Sequence, residues 1–197
     1  MEEKKEDDLK KLEEEVIRIG LKIAKRGEGA LFVIGQIDHN PLVTQSVPPF
    51  KVVENPKLLE SLALMDGAII IDKEGFMKSY GVMIKSTKTF LNFGTRHSAA
   101  MTASKGNNIA ILVSEEDKKV RIFRDEKMIM QIDALEKNVE QSVSNAVNLL
   151  ESVGAGALGA IGTGILVPTL GLAMLPGIVI FGSAYYLTKL LTNKFKN

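Results

Sequence analysis

The chain has 197 residues, 45% of them hydrophobic, which is enough apolar material for one domain with a buried core and an appendage. Its formal net charge of +1 lacks the basic excess of proteins that bind a phosphate backbone, so we expect no nucleic acid partner. The absence of cysteine excludes disulfides and thiolate chemistry, and only two histidines are present, which argues against a closed zinc site.

The first 27 residues predict an amphipathic helix. Its apolar residues recur at three- and four-residue steps, at Leu9, Leu12, Val16, Ile19 and Ile23. Acidic residues precede this stripe and basic residues end it before Gly27, in agreement with the helix dipole. The opening MEEKKEDDLKKLEEE has no apolar run like that of a secretory signal, so we expect the globular part to stay in the cytosol.

The next segment, 28–151, predicts an α/β domain with a mixed central β-sheet flanked by helices. An apolar run at 30–35 is typical of a buried strand, and a proline-rich loop follows it. Asn55 and Pro56 predict a short helix that stops before Asp66. Two hairpins are predicted after it, 67–72 with 76–84 and 109–114 with 120–125, and a further strand around 128–132.

Two more helices complete this domain. One is predicted between the hairpins, from Thr95 to Lys105, and Gly106 is a typical residue to end it. Asp133 can cap the last helix before the C-terminal segment. The apolar face of that helix is predicted to hold Leu135, Val139, Val143, Ala146 and Leu149.

The C-terminal segment is apolar and rich in glycine. From Ser152 to Thr188 no side chain is charged, and this run is longer than the ~20 apolar residues that one membrane helix needs. Pro168 and Pro176 divide it into two pieces. We therefore predict a helical hairpin over 152–191 that attaches the protein to the cell membrane, with the globular domain in the cytoplasm. A re-entrant hairpin and a helical pair buried in an oligomer are alternatives.

Three short segments carry chemically useful residues. Asp66-Gly67-Ala68 begins a predicted strand, Gly94-Thr95-Arg96-His97-Ser98 begins a predicted helix, and Ser114-Glu115-Glu116 follows a later strand. A helix that starts at Gly94 or Thr95 offers free amide N–H groups and a positive dipole end to phosphate.

The side chains of these segments extend that interpretation. Arg96 and His97 add donors beside the helix start, and Asp66 is placed to orient or deprotonate a ribose hydroxyl, with Gly67 leaving room for a ligand. Glu115 or Glu116 supplies carboxylate oxygen for Mg²⁺ or Mn²⁺.

In their order and spacing along residues 28–132, these segments resemble the diadenylate cyclase family, whose signatures are a DGA motif and a GTRHR-type motif. The resemblance implies an enzyme that condenses two ATP molecules into the second messenger cyclic di-AMP and releases two pyrophosphates. It also implies a homodimer with facing active sites, in which each ribose 3′-hydroxyl attacks the α-phosphate of the opposite ATP.

The resemblance further implies the role of each site residue. Asp66, Arg96 and His97 are the predicted catalytic residues. The predicted nucleotide-binding residues are Gly67, Ala68, Gly94, Thr95, Arg96, His97, Ser98, Ser114 and Glu115. Glu116 is the predicted ligand of Mn²⁺ or Mg²⁺, with Asp66 and Glu115 as alternates.

Two residues depart from the family pattern. Ser98 stands where many bacterial members have a second arginine, and Met65 stands where some membrane-bound members have a metal-binding histidine. Two other functions stay open, the first because of these departures and the second because of the glycine-rich C-terminal hairpin. One is a membrane-anchored sensor that binds ATP or cyclic di-AMP without turnover, and the other is a membrane interaction protein with the soluble domain as an adaptor.

Overall fold

A computed structural model of the protein describes residues 2–85, 94–154 and 173–181. The helices are α1 (Glu2–Lys25), α2 (Pro56–Ala63), α3 (Thr95–Ala103) and α4 (Val139–Gly154). The strands are β1 (Ala30–Ile34), β2 (His39–Pro41), β3 (Phe50–Lys51), β4 (Ala68–Ile71), β5 (Phe76–Ile84), β6 (Ile109–Val113), β7 (Lys119–Arg124), β8 (Lys127–Asp133), β9 (Ala173–Leu175) and β10 (Ile178–Ile180). These elements confirm the predicted α/β fold class for the domain.

The strands form one mixed sheet in the order β2-β5-β4-β1-β6-β7-β8-β10-β9, and β3 also pairs with β5. β1 and β4 are parallel, and the other pairs of this sheet are antiparallel. In the centre, Leu31 lies opposite Ala68 on one side and Leu112 on the other. The start of β4 and the end of β6 therefore flank the start of β1.

The two faces of the sheet are covered differently. α1, α2 and α4 pack on one face, hereafter the helix face, over residues such as Phe32, Ile34 and Ile111. On the opposite face, hereafter the α3 face, α3 packs over the alternate residues, which include Leu31 and Leu112. This alternation follows from the period of two along a strand.

The N-terminal helix is confirmed, and it is more buried than an amphipathic stripe requires. The predicted residues Leu12, Val16, Ile19 and Ile23 are buried, and so are Ile17, Leu21 and Ala24. The reason is that α1 contacts α4 and α2 as well as β6 and β7, so it is enclosed on more than one side.

The start of the last helix of the domain was predicted wrongly. α4 begins at Val139, while Asp133 belongs to β8 and its carboxylate accepts a hydrogen bond from the Leu135 amide at 2.9 Å. Leu135 is 64% exposed. The strand continues to Asp133 because this residue pairs with Lys119, and its amide donates to the carbonyl of Gly177 at 2.7 Å.

Part of the C-terminal segment forms a β-hairpin. β9 and β10 are joined by a turn at Pro176 and Gly177, and β10 pairs with β8, where Ile178 and Ile180 are buried. The prediction of a helical hairpin is therefore wrong over 173–180, because β8 offers a free edge to this β-branched run. The rest of the predicted hairpin beyond α4, 155–172 and 182–191, lies outside the described residues. Within the described part of the chain, no helix is long and apolar enough to cross a membrane.

Candidate active site

A cavity of about 850 Å³ opens on the α3 face of the sheet. The residues that line it are Leu31, Leu42, Asp66, Gly67, Ala68, Val82, Met83, Ile84, Gly94, Thr95, Arg96, His97, Ala99, Leu112, Val113, Ser114, Glu115 and Glu116. All the residues predicted from the three sequence segments are among them, except Ser98. A volume of this size is typical of pockets for small ligands, which span roughly 300–1,000 Å³.

The sheet topology explains why distant segments meet here. Ala68 begins β4 and Val113 ends β6, and both lie beside the start of β1 through the pairs Leu31↔Ala68 and Ala30↔Val113. The N-terminus of α3, which crosses the same face, brings Gly94 and Thr95 to this edge. Because the N-cap residue is glycine, it has no side chain to accept bonds from the first-turn amides, and these can serve an anion.

Arg96 and Glu115 form an ion pair across the cavity mouth. Nη1 of Arg96 lies 3.4 Å from Oε2 of Glu115, and both side chains are about half exposed, at 50% and 54%. Exposed pairs of this kind contribute only about 0–1 kcal/mol to stability. A phosphate group could therefore displace Glu115 from the guanidinium at low cost.

His97, the next residue of α3, is partly buried. Its ring meets the ring of Phe123 edge-on, with 6.3 Å between the centroids and 87° between the planes. Burial lowers the pKa of His97 below its ordinary value, and the nearby positive charge of Arg121 lowers it further. This lowering favours the neutral form of the imidazole, which can donate or accept a hydrogen bond.

A polar network behind Ser114 fixes the turn after β6. The Ser114 amide donates to the carbonyl of Lys119 at 2.9 Å, and its hydroxyl lies near the carboxylate of Asp117. Asp117 also accepts two hydrogen bonds from the guanidinium of Arg121. Burial alone would raise the pKa of Asp117, but the hydrogen bonds from Arg121 and the nearby Ser114 hydroxyl outweigh burial, and the pKa is lowered.

Asp66 and Gly67 stand at the opposite wall. Asp66 is exposed, and one carboxylate oxygen accepts a hydrogen bond from the Gly67 amide at 3.1 Å. Gly67 has a φ of +101°, and a Cβ atom there would lie 2.7 Å from the backbone nitrogen of Val82. From the sequence, Gly67 was expected to leave room for a ligand. The structure shows a second reason for a glycine here, because a side chain would clash with the backbone of β5.

The two residues that depart from the family pattern do not line the cavity. Ser98 is 4% exposed and lies among the α3 residues that are buried against the sheet. Its predicted contact with nucleotide stays a prediction. Met65 is 41% exposed beside Asp66.

Apart from Ala68, the residues of the apolar wall were not identified from the sequence. It consists of Leu31, Leu42, Ala68, Val82, Met83, Ile84, Ala99, Leu112 and Val113. Strand alternation could have pointed to Leu31, Val82 and Leu112. Leu42 lies just after β2 in the proline-rich segment, where no periodicity predicts that its side chain lines a cavity. Leu42 and Met83 are each 51% exposed at the rim of the cavity.

The donor set fits a divalent cation that is shared with a nucleotide. Asp66, Glu115 and Glu116 are carboxylates that line one cavity. In the described part of the chain, no group of three or more His, Asp or Glu side chains is arranged to hold a metal ion by itself. Mg²⁺ in phosphate-transfer sites needs only one or two carboxylates besides the substrate phosphates. The residues therefore fit such an ion in the presence of a triphosphate.

Comparisons with known proteins identify a family for the part of the chain that contains the cavity. The family model described as DisA bacterial checkpoint controller nucleotide-binding, abbreviated DAC, matches residues 20–128, which include all the cavity residues. A diadenylate cyclase of Methanocaldococcus jannaschii is 31% identical over 154 residues, 68% of this chain and 48% of the relative. A diadenylate cyclase of Haloferax volcanii is 27% identical over 139 residues, 60% of this chain and 51% of the relative.

The chain spans about half the length of these curated relatives. The fold is also that of a solved structure, a double mutant of DacA from Staphylococcus aureus. The two match with a TM-score of 0.50 and 20% identity over 75% of this chain and 97% of the other. On the family match, which covers more than half of its length, the chain belongs to the DAC family, the diadenylate cyclases.

Proposed function

We propose that this chain condenses two ATP molecules into cyclic di-AMP and releases two pyrophosphates. The observation that carries the proposal is that the DGA segment, the GTRH segment and the Ser-Glu-Glu turn line one cavity, although they are far apart in sequence. Both curated relatives above are named diadenylate cyclase, which supports the same activity here.

The cavity has separate surroundings for the two ends of ATP. The apolar wall around Leu42 and Met83 can cover the flat faces of adenine. The first turn of α3, with Thr95, Arg96 and His97, can hold the triphosphate through amide N–H groups and the guanidinium. Ser114 adds a hydroxyl at the phosphate end.

The proposed reaction forms one bond and breaks one bond at each α-phosphorus. Asp66 takes the proton of the ribose 3′-hydroxyl, the oxygen attacks the α-phosphorus of the facing ATP, and the bond to the β-phosphate oxygen breaks to release pyrophosphate. Arg96 and the α3 amides stabilise the charge that develops on the phosphoryl oxygens. Glu116, with Glu115 and Asp66 as alternates, would hold Mn²⁺ or Mg²⁺, which neutralises phosphate charge when bound.

The ring-shaped product requires two sites that face each other. Asp66, Arg96, Glu115 and Glu116 are all exposed at the cavity mouth, so a nucleotide bound there leaves its reacting atoms open to a second protomer. We propose a homodimer, stable or transient, in which each protomer supplies one ATP.

The first test is to incubate the protein with ATP and Mn²⁺ or Mg²⁺ and to resolve the products by chromatography, with Asp66→Asn as the matched variant. Loss of a general base lowers rates by about 10²–10⁴-fold, so we expect cyclic di-AMP from the parent and at least 100-fold less from Asp66→Asn. The two proteins should unfold at the same temperature because Asp66 is exposed. ATP binding without any product from the full chain would reject the cyclase and favour the nucleotide sensor.

The facing arrangement has its own test. In a mixed dimer of one parent protomer and one Asp66→Asn protomer, only one 3′-hydroxyl is activated, so one phosphodiester bond forms. We expect the linear dinucleotide, which still carries one triphosphate, to accumulate in mixtures of the two proteins. A mixture that yields only cyclic di-AMP in proportion to the parent protein would contradict the facing arrangement.

Membrane attachment through 152–191, with the catalytic domain in the cytoplasm, also remains a proposal. The long uncharged run supports it. Residues 173–180 form a β-hairpin and are therefore not part of a membrane helix. Sedimentation of the full chain with phospholipid vesicles would test it, and a chain that stays in the supernatant would contradict it.

A further inference from the structure

Gly29 lies in the short connection between α1 and β1, next to the charged pair at the cavity mouth. It does not line the cavity itself. A Cβ atom built on Gly29 would lie 2.5 Å from Nη1 of Arg96 and 3.4 Å from Oε2 of Glu115. The same two atoms form the ion pair at 3.4 Å. The guanidinium of Arg96 therefore occupies the space that a side chain at position 29 would take.

The backbone does not explain this glycine. The φ angle of Gly29 is not positive, whereas nearby Gly27 has a φ of +75°. The atoms nearest to the added Cβ belong to the side-chain ends of Arg96 and Glu115, with no backbone atom among them. An alanine at this position would thus be compatible with the fold and incompatible with the present place of the guanidinium.

We propose that Gly29 is a positioning residue for Arg96. The missing side chain lets the guanidinium lie against the chain just before β1, where its Nη1 contacts Oε2 of Glu115. From this place Arg96 can exchange its weak contact with Glu115 for a phosphate oxygen. This inference rests on the proposed function, because the proposed role of Gly29 is to place Arg96 for ATP binding.

The consequence of adding one methyl group is a displaced guanidinium. Carbon and nitrogen atoms in contact lie about 3.5–4.0 Å apart, so Nη1 must move by about 1 Å or more in Gly29→Ala. A misplacement of about 1 Å can cost up to 10²-fold in a positioned reaction. We expect Gly29→Ala to weaken ATP binding and to lower kcat/KM for ATP by about tenfold to a hundredfold, with an unchanged Tm.

A double-mutant cycle separates an effect through Arg96 from a structural effect. The dissociation constant for 3′-deoxy-ATP with Mg²⁺ is measured for the parent, Gly29→Ala, Arg96→Ala and the double variant, because this analogue cannot react. If Gly29 acts through Arg96, adding Gly29→Ala to Arg96→Ala changes the affinity by less than twofold. If binding to Arg96→Ala is too weak to measure, Arg96→Lys takes its place in the cycle.

Gly106 provides the matched glycine control. It has a φ of +72°, and no atom lies within 4 Å of an added Cβ, so Gly106→Ala strains the backbone far from the charged pair. We expect a lower Tm and unchanged ATP affinity for Gly106→Ala, which is the reverse of the result for Gly29→Ala.

Three outcomes decide the matter. Loss of affinity in Gly29→Ala that disappears in the Arg96 background supports the positioning role. An unchanged affinity, or equal losses in both backgrounds, overturns it while the proposed function stands. A parent protein that neither binds the analogue nor forms cyclic di-AMP from ATP overturns the proposed function and this role with it.

Discussion

The two faces of the sheet use the same strands for different purposes. On the helix face, α1, α2 and α4 fill the space over alternate residues such as Phe32 and Ile34, which are fully buried. On the α3 face, a helix of nine residues covers only part of the strands, and the uncovered end becomes the cavity. Of two neighbouring residues in β1, Phe32 thus belongs to the core and Leu31 to the wall of the cavity.

Charged residues show the same contrast. On the helix face, Glu13 of α1 is 2% exposed, and both of its carboxylate oxygens accept hydrogen bonds from Nη2 of Arg124, at 2.7 and 2.8 Å. At the cavity mouth, Arg96 and Glu115 are half exposed and 3.4 Å apart. Buried charges must keep their partners, whereas exposed charges can exchange a partner for a ligand. The first pair therefore serves stability, and the second pair is available for binding.

The largest effect is expected from breaking the buried pair. Arg124→Met removes the cation that donates to both carboxylate oxygens of the buried Glu13, and removing one member of a buried pair costs about 3–5 kcal/mol in the free energy of unfolding. Urea denaturation measures this loss. Lys11→Met is the control because the Lys11–Asp7 pair is about 60% exposed on both sides, so we expect no measurable change from it. Equal effects of the two substitutions would contradict the contrast.

A pair of identical substitutions compares the packing of the two faces. Ile34 is 0% exposed on the helix face, and Ile84 is 7% exposed and lines the cavity. Ile→Ala in a core costs about 2–5 kcal/mol, and the cost rises with the volume of the empty space created. We expect Ile34→Ala to lie in the upper half of this range and Ile84→Ala to cost at least about 1 kcal/mol less, because one side of Ile84 already faces a void.

Denaturation curves of both variants, with ATP affinity beside them, test this difference. Ile84→Ala should also weaken ATP binding, because it removes part of the apolar wall and enlarges the cavity. Ile34→Ala should leave ATP binding nearly unchanged. Equal losses of stability would mean that the α3 face is packed as fully as the helix face.

The smallest expected effect is a pH dependence that comes from His97. Its pKa in the folded protein is lowered by burial and by Arg121, so the unfolded chain, with a pKa near 6.5, binds the proton more readily. The free energy of unfolding therefore falls as the pH falls through about 6.5, and the slope ends below the folded pKa. His97→Asn should lose this part of the slope between pH 7 and pH 5.5, as measured by urea denaturation.

Carboxylates with lowered pKa values affect the free energy of unfolding at lower pH than His97 does, so the two contributions can be distinguished. The pKa values of Asp117 and Glu140 are lowered from ordinary values of 3.8 and 4.5, Glu140 chiefly through its hydrogen bond from Lys25. Their contributions to stability are present above these values and are lost in stronger acid. A parent protein and a His97→Asn variant with identical slopes above pH 5.5 would contradict the assignment to His97.

Much of the domain was predictable because local patterns agree with the tertiary structure. β5 was predicted at 76–84 and is observed at the same residues, since a turn ending at Gly75 fixes its start and strand alternation continues to Ile84. The helix after Gly94 was predicted for a similar reason, and it contains the residues from Thr95 to Ala103. The three chemical segments were also recognised, because each lies where a strand or helix begins or ends.

The remainder depends on contacts that no local pattern shows. Residues 173–180 form a β-hairpin because β8 has an edge to pair with, although glycine, proline and the lack of charge favoured a membrane helix. Leu42 reaches the cavity only because β2 pairs with β5. Gly29 and Arg96 are far apart in sequence, and their contact follows from the meeting of β1, β6 and α3 at one edge.

The most direct test of the account is hydrogen–deuterium exchange with 3′-deoxy-ATP and Mg²⁺, which can bind but cannot react. Bound nucleotide should slow the exchange of amides in peptides that cover Gly94–Ser98 and Ser114–Glu116. Peptides from α1 and α4 on the helix face should exchange at the same rate with and without the nucleotide. Protection confined to α1 and α4, or no protection at 94–98 at saturating nucleotide, would contradict the claim that the α3 face holds the active site.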